Sequence, residues 1–421
     1  MLFKKGFWTL SFLTLSPFVF AQPAVAAINS GDTAWMMVST ALVLLMTPGL
    51  AFFYAGMVRP KNAGSTTFQN FAALGVISLV WAVCGYSLAF GKGGNFIGDF
   101  SMAFLKGVGN EPCEFSPVIP HSVFMAFQCM FAVITPALIT GSFAERIKFK
   151  PYIVFLILWS LLVYSPVAHW VWGGGFLMLK GVKDFAGGMV VHMTAGFSAL
   201  AAAFVFGRRS DHGKQAYLPH NTPLVCLGTA LLWFGWFGFN AGSALAANES
   251  AANAFVTTHF ATATALVVWV SMDWAVGKPN LVGACVGAVV GLVAITPAAG
   301  FVTLSSSIII GAAAAAISYV IVKMVRGMKI DDSLDVFACH GIGGLTGSIL
   351  TGALAKDGGG MAQVMIQLAG AAWVLVYSFG VTFLMLKILD VYFGLRPTEQ
   401  DELEGLDETQ HDEPAYSHPM K

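Results

Sequence analysis

The stretch Asp184-Phe-Ala-Gly-Gly-Met-Val-Val-His192-Met-Thr-Ala-Gly196 places a carboxylate, a histidine and a glycine at the start of an apolar segment. A later stretch, Asp335-Val-Phe-Ala-Cys-His340-Gly-Ile-Gly-Gly344, repeats that order, and in both the glycine follows the histidine by four residues. The two stretches open the fifth and the tenth apolar segments of the chain, which indicates a repeat of five segments. Because five is odd, the two halves must be inverted in a membrane, and inverted repeats place a substrate site at their interface.

The composition around these stretches requires a lipid environment. Of the 421 residues, 57% are hydrophobic and 10% are charged, and the mean hydropathy is +0.73. A soluble domain carries about 25% charged residues. The formal net charge is zero, so no excess of positive charge points to nucleic acid. The sequence therefore predicts an all-α polytopic membrane protein surrounded by lipid.

Eleven apolar segments have a length suited to crossing a membrane, for which about 20 residues are needed. The predicted architecture is an inverted five-plus-five repeat followed by one extra helix, and the eighth segment is short. The segments are 33–58, 66–90, 120–143, 149–170, 186–206, 223–244, 253–275, 280–297, 301–325, 337–355 and 361–394.

The first residues are typical of a secretory signal peptide over 1–26. Lys4 and Lys5 precede an apolar run, and Ala24-Val25-Ala26 has the small residues of a cleavage site. The alternative is an additional helix that is not cleaved. The predicted division is thus a signal peptide, a membrane domain over 27–394 and a polar cytoplasmic tail over 395–421.

The distribution of Lys and Arg between the loops predicts the orientation, since cytoplasmic loops carry the excess. With an external N-terminus after cleavage and a cytoplasmic C-terminus, the external loops hold five such residues: Lys92, Lys106, Lys180, Lys183 and Lys356. The cytoplasmic side holds twelve: Arg59, Lys61, Arg146, Lys148, Lys150, Arg208, Arg209, Lys214, Lys278, Lys323, Arg326 and Lys329.

Ionisable side chains within membrane segments are costly and usually face a cavity or a partner. His192 and His340 are the strongest candidates, and the alternative is that each is a core histidine bonded to a neighbour. Asp184 and Asp335 are candidates either for helix N-caps or for carboxylates that attract a cation. No metal-ligand spacing or cofactor motif is present, and the six cysteines form no disulfide framework.

Aromatic residues cluster beside these segments. The run 233–243 contains Trp236 and Phe239, Phe127 and Phe131 lie one turn apart, and Trp172 ends the fourth segment. Aromatic faces attract cations by about 0.5–2 kcal/mol. Most aromatic residues in such a chain nevertheless serve packing or the membrane interface.

Four ordered motifs give the sequence a close resemblance to the Amt family of ammonium transporters, within the Amt/Rh superfamily. They are Asp184-Phe-Ala-Gly-Gly with His192, Gly235-Trp-Phe-Gly-Phe-Asn-Ala-Gly-Ser243, Gly141-Ser-Phe-Ala-Glu145-Arg146, and Asp331-Asp-Ser-Leu-Asp335 with His340. The resemblance runs from Asp32 to the tail.

The resemblance implies roles for particular positions. Trp172, Phe131 and Ser243, with Phe127 beside them, correspond to an external recruitment site for the ammonium cation. Phe131 and Phe239 correspond to a phenyl gate, with Trp236 adjacent. Asp184 corresponds to an essential buried carboxylate, and His192 and His340 to twin pore histidines.

The resemblance also implies a homotrimer with one pore per subunit in a bacterial inner membrane, without a cofactor, and a tail that a PII signal protein can meet. The expected function is recruitment of ammonium, its deprotonation and conduction of ammonia, with the possibility of separate proton transfer. An ammonium sensor of the same fold and an unrelated secondary transporter for another small amine are the alternatives. An enzyme is not expected, because the motifs of intramembrane proteases and metal enzymes are absent from the sequence.

Overall fold

The computed structural model describes residues 28–214, 217–328 and 330–416, and the proposed signal peptide lies outside them. Ten helices in this part of the chain are long and apolar enough to cross a membrane, and a shorter apolar helix supplies the eighth position. We label them α1 to α11: Ser30–Met57, Pro60–Phe90, His121–Ile139, Phe149–Leu179, Gly188–Phe206, Thr222–Gly242, Glu249–Val276, Leu281–Ile295, Leu304–Gly327, Phe337–Leu354 and Met361–Phe393. Two short helices of the tail, α12 (Glu399–Glu404) and α13 (Leu406–His411), follow.

The eleven predicted segments are confirmed as helices, and their bounds differ from the prediction by a few residues. The largest difference is in the fourth, where the chain turns after Val171 and adds a short helix, Phe176–Leu179. A polar cap marks the start of the short eighth helix. The Asn280 side chain accepts a hydrogen bond from Gly283 N at its start.

The helix contacts repeat between the two halves. Helix α1 packs along α6 and also contacts α2 and α3, while α6 contacts α7 and α8. In the same way, α2 packs on α3 and α4, and α7 packs on α8 and α9. Helix α5 crosses α10, and α11 lies outside the repeat against α4, α5 and α10. This is the arrangement expected of an inverted five-plus-five repeat with one extra helix.

Glycine allows the close helix crossing at the centre. A Cβ atom on Gly196 of α5 would lie 2.0 Å from Gly341 N and 2.3 Å from Gly341 Cα of α10. A Cβ atom on Gly344 would lie 2.8 Å from Gly188 O and 3.0 Å from His192 Cβ. Small residues permit such backbone approach between membrane helices, where packing rather than the hydrophobic effect drives association.

Both crossing helices begin with a π-helical turn, Gly188–Met193 in α5 and Phe337–Ile342 in α10. Each of these turns contains one of the two histidines. Further π-helical turns interrupt α2 at Trp81–Gly85 and α4 at Ser160–Tyr164. Such turns re-aim side chains within a helix and frequently mark functional sites.

We expect Gly196→Ala to destabilise the protein, because the added methyl group forces α5 and α10 apart. Overpacking of this kind costs about 1–3 kcal/mol, and more where backbone must move. Thermal unfolding of the detergent-purified variant should show a clear fall in melting temperature. Gly380→Ala in α11 is the matched control, since nothing lies within 4 Å of a Cβ atom there. An equal effect of both substitutions would contradict the role of the crossing.

Candidate functional site

The twin histidines meet at the crossing of α5 and α10. His192 Nδ1 lies 3.2 Å from His340 Nδ1, and both side chains are buried. In a hydrogen bond between two imidazole nitrogens, one nitrogen must donate and the other must accept. One ring of a neutral pair therefore carries its proton on Nδ1 and the other on Nε2. The pair can thus present both a donor and an acceptor to a small molecule beside it.

A column of aromatic rings leads to this pair. Trp172 contacts Phe131 edge to face, with ring centroids 6.0 Å apart, and Phe131 lies 4.2 Å from Phe239. The Phe239 ring is in turn 6.0 Å from the His192 ring and nearly parallel to it. The chain thus forms a continuous series from Trp172 to His340.

The other aromatic candidates flank this column. Phe127 packs against Phe131 at 4.9 Å, and Trp236 lies 5.4 Å from the His192 ring with a near-parallel stacking. Trp236 Nε1 donates to Thr296 Oγ1, which fixes the indole beside the histidine. The structure therefore brings together the residues predicted for the recruitment site, the gate and the pore.

Ser243 lies one helical turn beyond Phe239. Its Oγ donates to Phe239 O at 2.8 Å, and the preceding residue, Gly242, lies against the Phe127 ring. The serine is thus at the outer end of the same column. Its hydroxyl oxygen retains acceptor capacity, because a hydroxyl has two lone pairs besides its single donor.

Apolar side chains enclose a very small cavity at the histidines. Its volume of about 10 Å³ is close to the minimum that one water molecule needs. His192 Nε2 has no hydrogen-bond partner within the part of the chain that the structure describes. The apolar lining comprises Met46, Leu50, Phe53, Ile134, Leu138, Val191, Leu232, Trp236, Phe239 and Val289. The space suits one small neutral molecule.

Asp184 fixes the start of α5. Its two carboxylate oxygens accept hydrogen bonds from four backbone amides, those of Gly187, Gly188, Met189 and Val190, at 2.6–3.1 Å. Its own backbone carbonyl accepts a hydrogen bond from Trp172 Nε1 at 2.9 Å. The geometry therefore assigns Asp184 the helix-capping role, and through its carbonyl it also positions the tryptophan of the aromatic column.

The counterpart of Asp184 in the second half is Asp332, not Asp335. Asp332 precedes His340 by eight residues, as Asp184 precedes His192, and its Oδ2 accepts from Phe337 N at 2.7 Å. Asp335 instead forms an ion pair with Arg326. The prediction that Asp335 is the counterpart of Asp184 is therefore wrong. It follows from the order of the residues alone, whereas the distance to the histidine identifies Asp332.

Asp332 differs from Asp184 in how much of its carboxylate is bonded. Its Oδ1 is buried and has no hydrogen-bond partner within the described residues. Burial, together with the nearby charge of Asp335, raises the pKa of Asp332 to about 7. The two ends of the pore therefore carry matched carboxylates in unlike electrostatic settings.

A cavity of about 780 Å³ opens beside Asp332, on the side of the loops that are predicted to be cytoplasmic. A buried network of ion pairs ties these loops together. Glu145 contacts Arg59 at 2.7 Å and Arg209 at 3.5 Å, while Asp331 contacts Arg209 at 2.8 Å. We call this cavity the cytoplasmic vestibule.

Asp331 also binds Arg146, at 3.2 Å. Burial by itself raises the pKa of Asp331, but the charges of Arg146 and Arg209 outweigh it and lower that pKa to about 2. The sequence showed Glu145 and Asp331 only as parts of motifs. Their pairing across distant loops had no signal in residue order.

Comparison with known proteins agrees with this geometry. The sequence profile of the Ammonium Transporter Family matches residues 34–416. An ammonium transporter from Bacillus subtilis is 47% identical over 403 residues, which cover 93% of this chain and 99% of that protein. The chain belongs to the ammonium transporter family.

Solved structures of family members share the fold. The crystal structure of Mep2 from Saccharomyces cerevisiae matches with a TM-score of 0.84 and 36% identity, covering 89% of each chain. A chain described as a sensor Amt protein matches with a TM-score of 0.85 and 30% identity, covering 90% of this chain and 98% of that one. The aromatic column and the twin histidines thus lie within a fold that members of this family share.

Asp184→Asn should destabilise the protein strongly, because an amide offers one acceptor oxygen where the carboxylate offers two. Two of the four amides would then face a donor, and each unsatisfied buried group costs about 1–3 kcal/mol. Asp332→Asn is the matched comparison, since only one of its oxygens is bonded to an amide. Thermal unfolding should show the larger loss for Asp184→Asn, and the reverse order would contradict the capping assignment.

Proposed function

We propose that this chain is an ammonium transporter that takes up the cation at the Trp172 end of the aromatic column and conducts ammonia past His192 and His340. The observation that carries the proposal is the continuous series of contacts from Trp172 through Phe131 and Phe239 to the histidine pair. Rings at the outer end suit a cation, and the cavity at the inner end suits a neutral molecule.

The energetics favour deprotonation between these two ends. Moving a bare monovalent ion into a medium of low dielectric constant costs of order 20 kcal/mol. Cation–π contacts return only about 0.5–2 kcal/mol each. An intact ammonium ion would therefore be unstable in the apolar cavity at His192. Ammonium avoids the cost by releasing a proton, which potassium, of similar size, is unable to do.

The histidine pair can relay the released proton, and it can also form hydrogen bonds with the ammonia. The Nδ1–Nδ1 contact of 3.2 Å joins the two rings into one relay, and each ring can exchange a proton through its other nitrogen. We propose that the proton moves through this relay while ammonia passes the same rings, so that net charge crosses the membrane.

Transport is favoured over sensing and over another amine. The curated relatives from Bacillus subtilis and Aquifex aeolicus, each 47% identical, bear the name ammonium transporter. The narrow Phe131–Phe239 contact also leaves little room for a larger amine. Methylammonium uptake in cells distinguishes a transporter from a sensor.

We further propose that the chain lies in a bacterial inner membrane as a homotrimer with one pore per subunit. The N-terminus is external after removal of residues 1–26, and the tail is cytoplasmic. Only 33% of the most apolar stretch of α7, and the same share in α11, is buried within the subunit. The rest is apolar surface that neighbouring subunits and lipid can cover.

Replacing both histidines by alanine should abolish selective ammonium current or admit potassium. Proton transfer by a positioned side chain is worth about 10²–10⁴-fold in rate, which sets the expected loss. The measurement is the current after an ammonium jump, on reconstituted protein adsorbed to a solid-supported membrane. His259→Ala, an exposed histidine of α7, is the control.

Two results would contradict the mechanism. Wild-type selectivity in the double variant would remove the histidines from it. Ammonia flux without any current in the unmodified protein would reject the charge-carrying form.

The tail is in a position to regulate the vestibule. Asp407 accepts hydrogen bonds from Gly64 N and Ser65 N at the start of α2, and Glu402 binds Arg396 and Ser210 Oγ. Helices α12 and α13 thus contact the loops that line the cytoplasmic side. We propose that this docked tail forms part of the surface that a PII-type signal protein recognises.

A pull-down with the cognate PII protein should retain it in one nucleotide state, and Asp407→Ala should reduce that retention several-fold by releasing α13. Asp412→Ala, at an exposed position of the same segment, is the control. Absence of binding at low ADP and at high ATP alike would count against docking.

A further inference from the structure

One corner of the cytoplasmic vestibule contains a carboxylate that the transport mechanism does not use. Asp273, near the end of α7, is 9% exposed and accepts a hydrogen bond at Oδ1 from Tyr319 of α9 at 3.0 Å. Trp269, one turn earlier on α7, packs edge to face on Tyr319 with centroids 5.1 Å apart. All three residues line the vestibule. We call this group the Asp273 corner.

The second oxygen of this carboxylate is not satisfied. Asp273 Oδ2 is buried and has no hydrogen-bond partner among the residues that the structure describes. A buried acceptor without a partner costs about 1–3 kcal/mol. Such groups are few in native structures, and a bound water or ion is one way in which they are completed.

The space next to this oxygen exists because residue 283 is glycine. A Cβ atom on Gly283 of α8 would lie 2.4 Å from Asp273 Oδ2, 3.2 Å from Trp269 Nε1 and 3.4 Å from Asn280 Nδ2. Three polar atoms from two helices thus converge on one small space. Any side chain at position 283 would close it.

Of the other vestibule carboxylates, Asp332 also has an oxygen without a partner among the described residues, but the remaining three are paired. Glu145, Asp331 and Asp335 each contact at least one arginine. Lys323 lies near the Asp273 corner, but its ammonium group is over the Tyr319 ring, 5.1 Å from the ring centroid. Among the described residues, no ion pair involves Asp273. The corner therefore combines a free carboxylate oxygen with aromatic rings.

We propose that the Asp273 corner is a cytoplasmic binding site for the ammonium cation, where the transported species is held after it regains its proton. The inference rests on the proposed function and extends it to the inner side of the membrane. A carboxylate oxygen accepts one N–H of ammonium in a charge-assisted hydrogen bond, and the aromatic ring of Trp269, which also lines the vestibule, adds to the attraction for a cation.

The chemistry of the corner favours ammonium over alkali cations. Asp273 Oδ2 is a single unbonded acceptor, because the neighbouring Trp269 Nε1 and Asn280 Nδ2 are donors and no cation can use them as ligands. Sodium or potassium requires several oxygen ligands in place of its hydration shell. Ammonium donates in discrete directions, so that one carboxylate oxygen, an aromatic face and vestibule water can satisfy it.

The test measures ammonium-dependent flux separately from each face of the membrane, in inside-out and right-side-out vesicles. Asp273→Asn removes the charge, and Gly283→Ala fills the space. For both variants we expect the half-saturating ammonium concentration at the cytoplasmic face to rise about tenfold, the typical worth of one charge-assisted hydrogen bond. The value at the external face should stay within about twofold, because the external recruitment residues are unchanged.

Asp357→Asn and Gly277→Ala are the matched controls. Asp357 is an exposed carboxylate in another loop, and nothing lies within 4 Å of a Cβ atom at Gly277. The proposal is overturned if Asp273→Asn and Gly283→Ala leave the cytoplasmic value unchanged, or if they alter both faces equally.

A binding measurement separates this proposal from the proposed function. In a Trp172→Ala background, ammonium chloride should raise the melting temperature of the purified protein above that in sodium chloride of equal ionic strength. Asp273→Asn should remove that difference. If the unmodified protein transports no ammonium, the proposed function fails, yet a shift that depends on Asp273 still supports the site. A shift that Asp273→Asn leaves intact, or no shift at all, overturns it.

Discussion

The close crossing of α5 and α10 is the constraint on which the rest of the structure depends. At Gly196 the two backbones approach so closely that any side chain would collide with Gly341 of the other helix. Only at that separation can His192 and His340 share a hydrogen bond between their Nδ1 atoms. The π-helical turn at the start of each helix then aims both rings at the apolar cavity. The histidine pair is therefore a product of helix packing and not of the local sequence around either residue.

A second consequence follows from placing helix starts inside the protein. The first amides of a helix have no partner within it, and in an apolar surrounding each must find one. Asp184 supplies both oxygens to the amides that open α5, while Asp332 supplies one to α10. The carboxylates flank the pore because the helices begin there. Their first function is structural, and their charge acts on the pore from positions that the backbone dictates.

The sequence allowed much of this to be predicted, and the successes share a cause. The hydropathy of a spanning helix is a property of its own residues, so the sequence predicts all eleven segments, including the short α8. His192 and His340 stood out because an ionisable residue in an apolar run is rare. The misses have separate causes. The order of residues pairs Asp335 with Asp184, although the spacing of eight residues to the histidine identifies Asp332. The pairing of Glu145 with Arg209 could not be predicted, because it depends on a contact between distant segments. The π-helical turns have no recognised residue signature and could not be read from periodicity. The signal peptide and the orientation of the termini stay predictions.

The inverted repeat makes the backbone nearly symmetric, but the side chains make the path directional. At the end of the path that is predicted to be external, Trp172 and Phe131 provide aromatic surface, and the nearby Asp184 is saturated by amides, so that a cation meets rings rather than a free carboxylate. At the opposite end, the vestibule contains several carboxylates, and Asp332 and Asp273 each retain an oxygen without a partner among the described residues. A weakly held ion at an aromatic surface is readily desolvated and deprotonated, whereas a carboxylate favours the charged form of its ligand. The two ends of the pore are therefore equivalent in their backbone but not in their side chains. Because one end presents aromatic rings and the other presents free carboxylate oxygens, the ammonium ion has a different stability at each end.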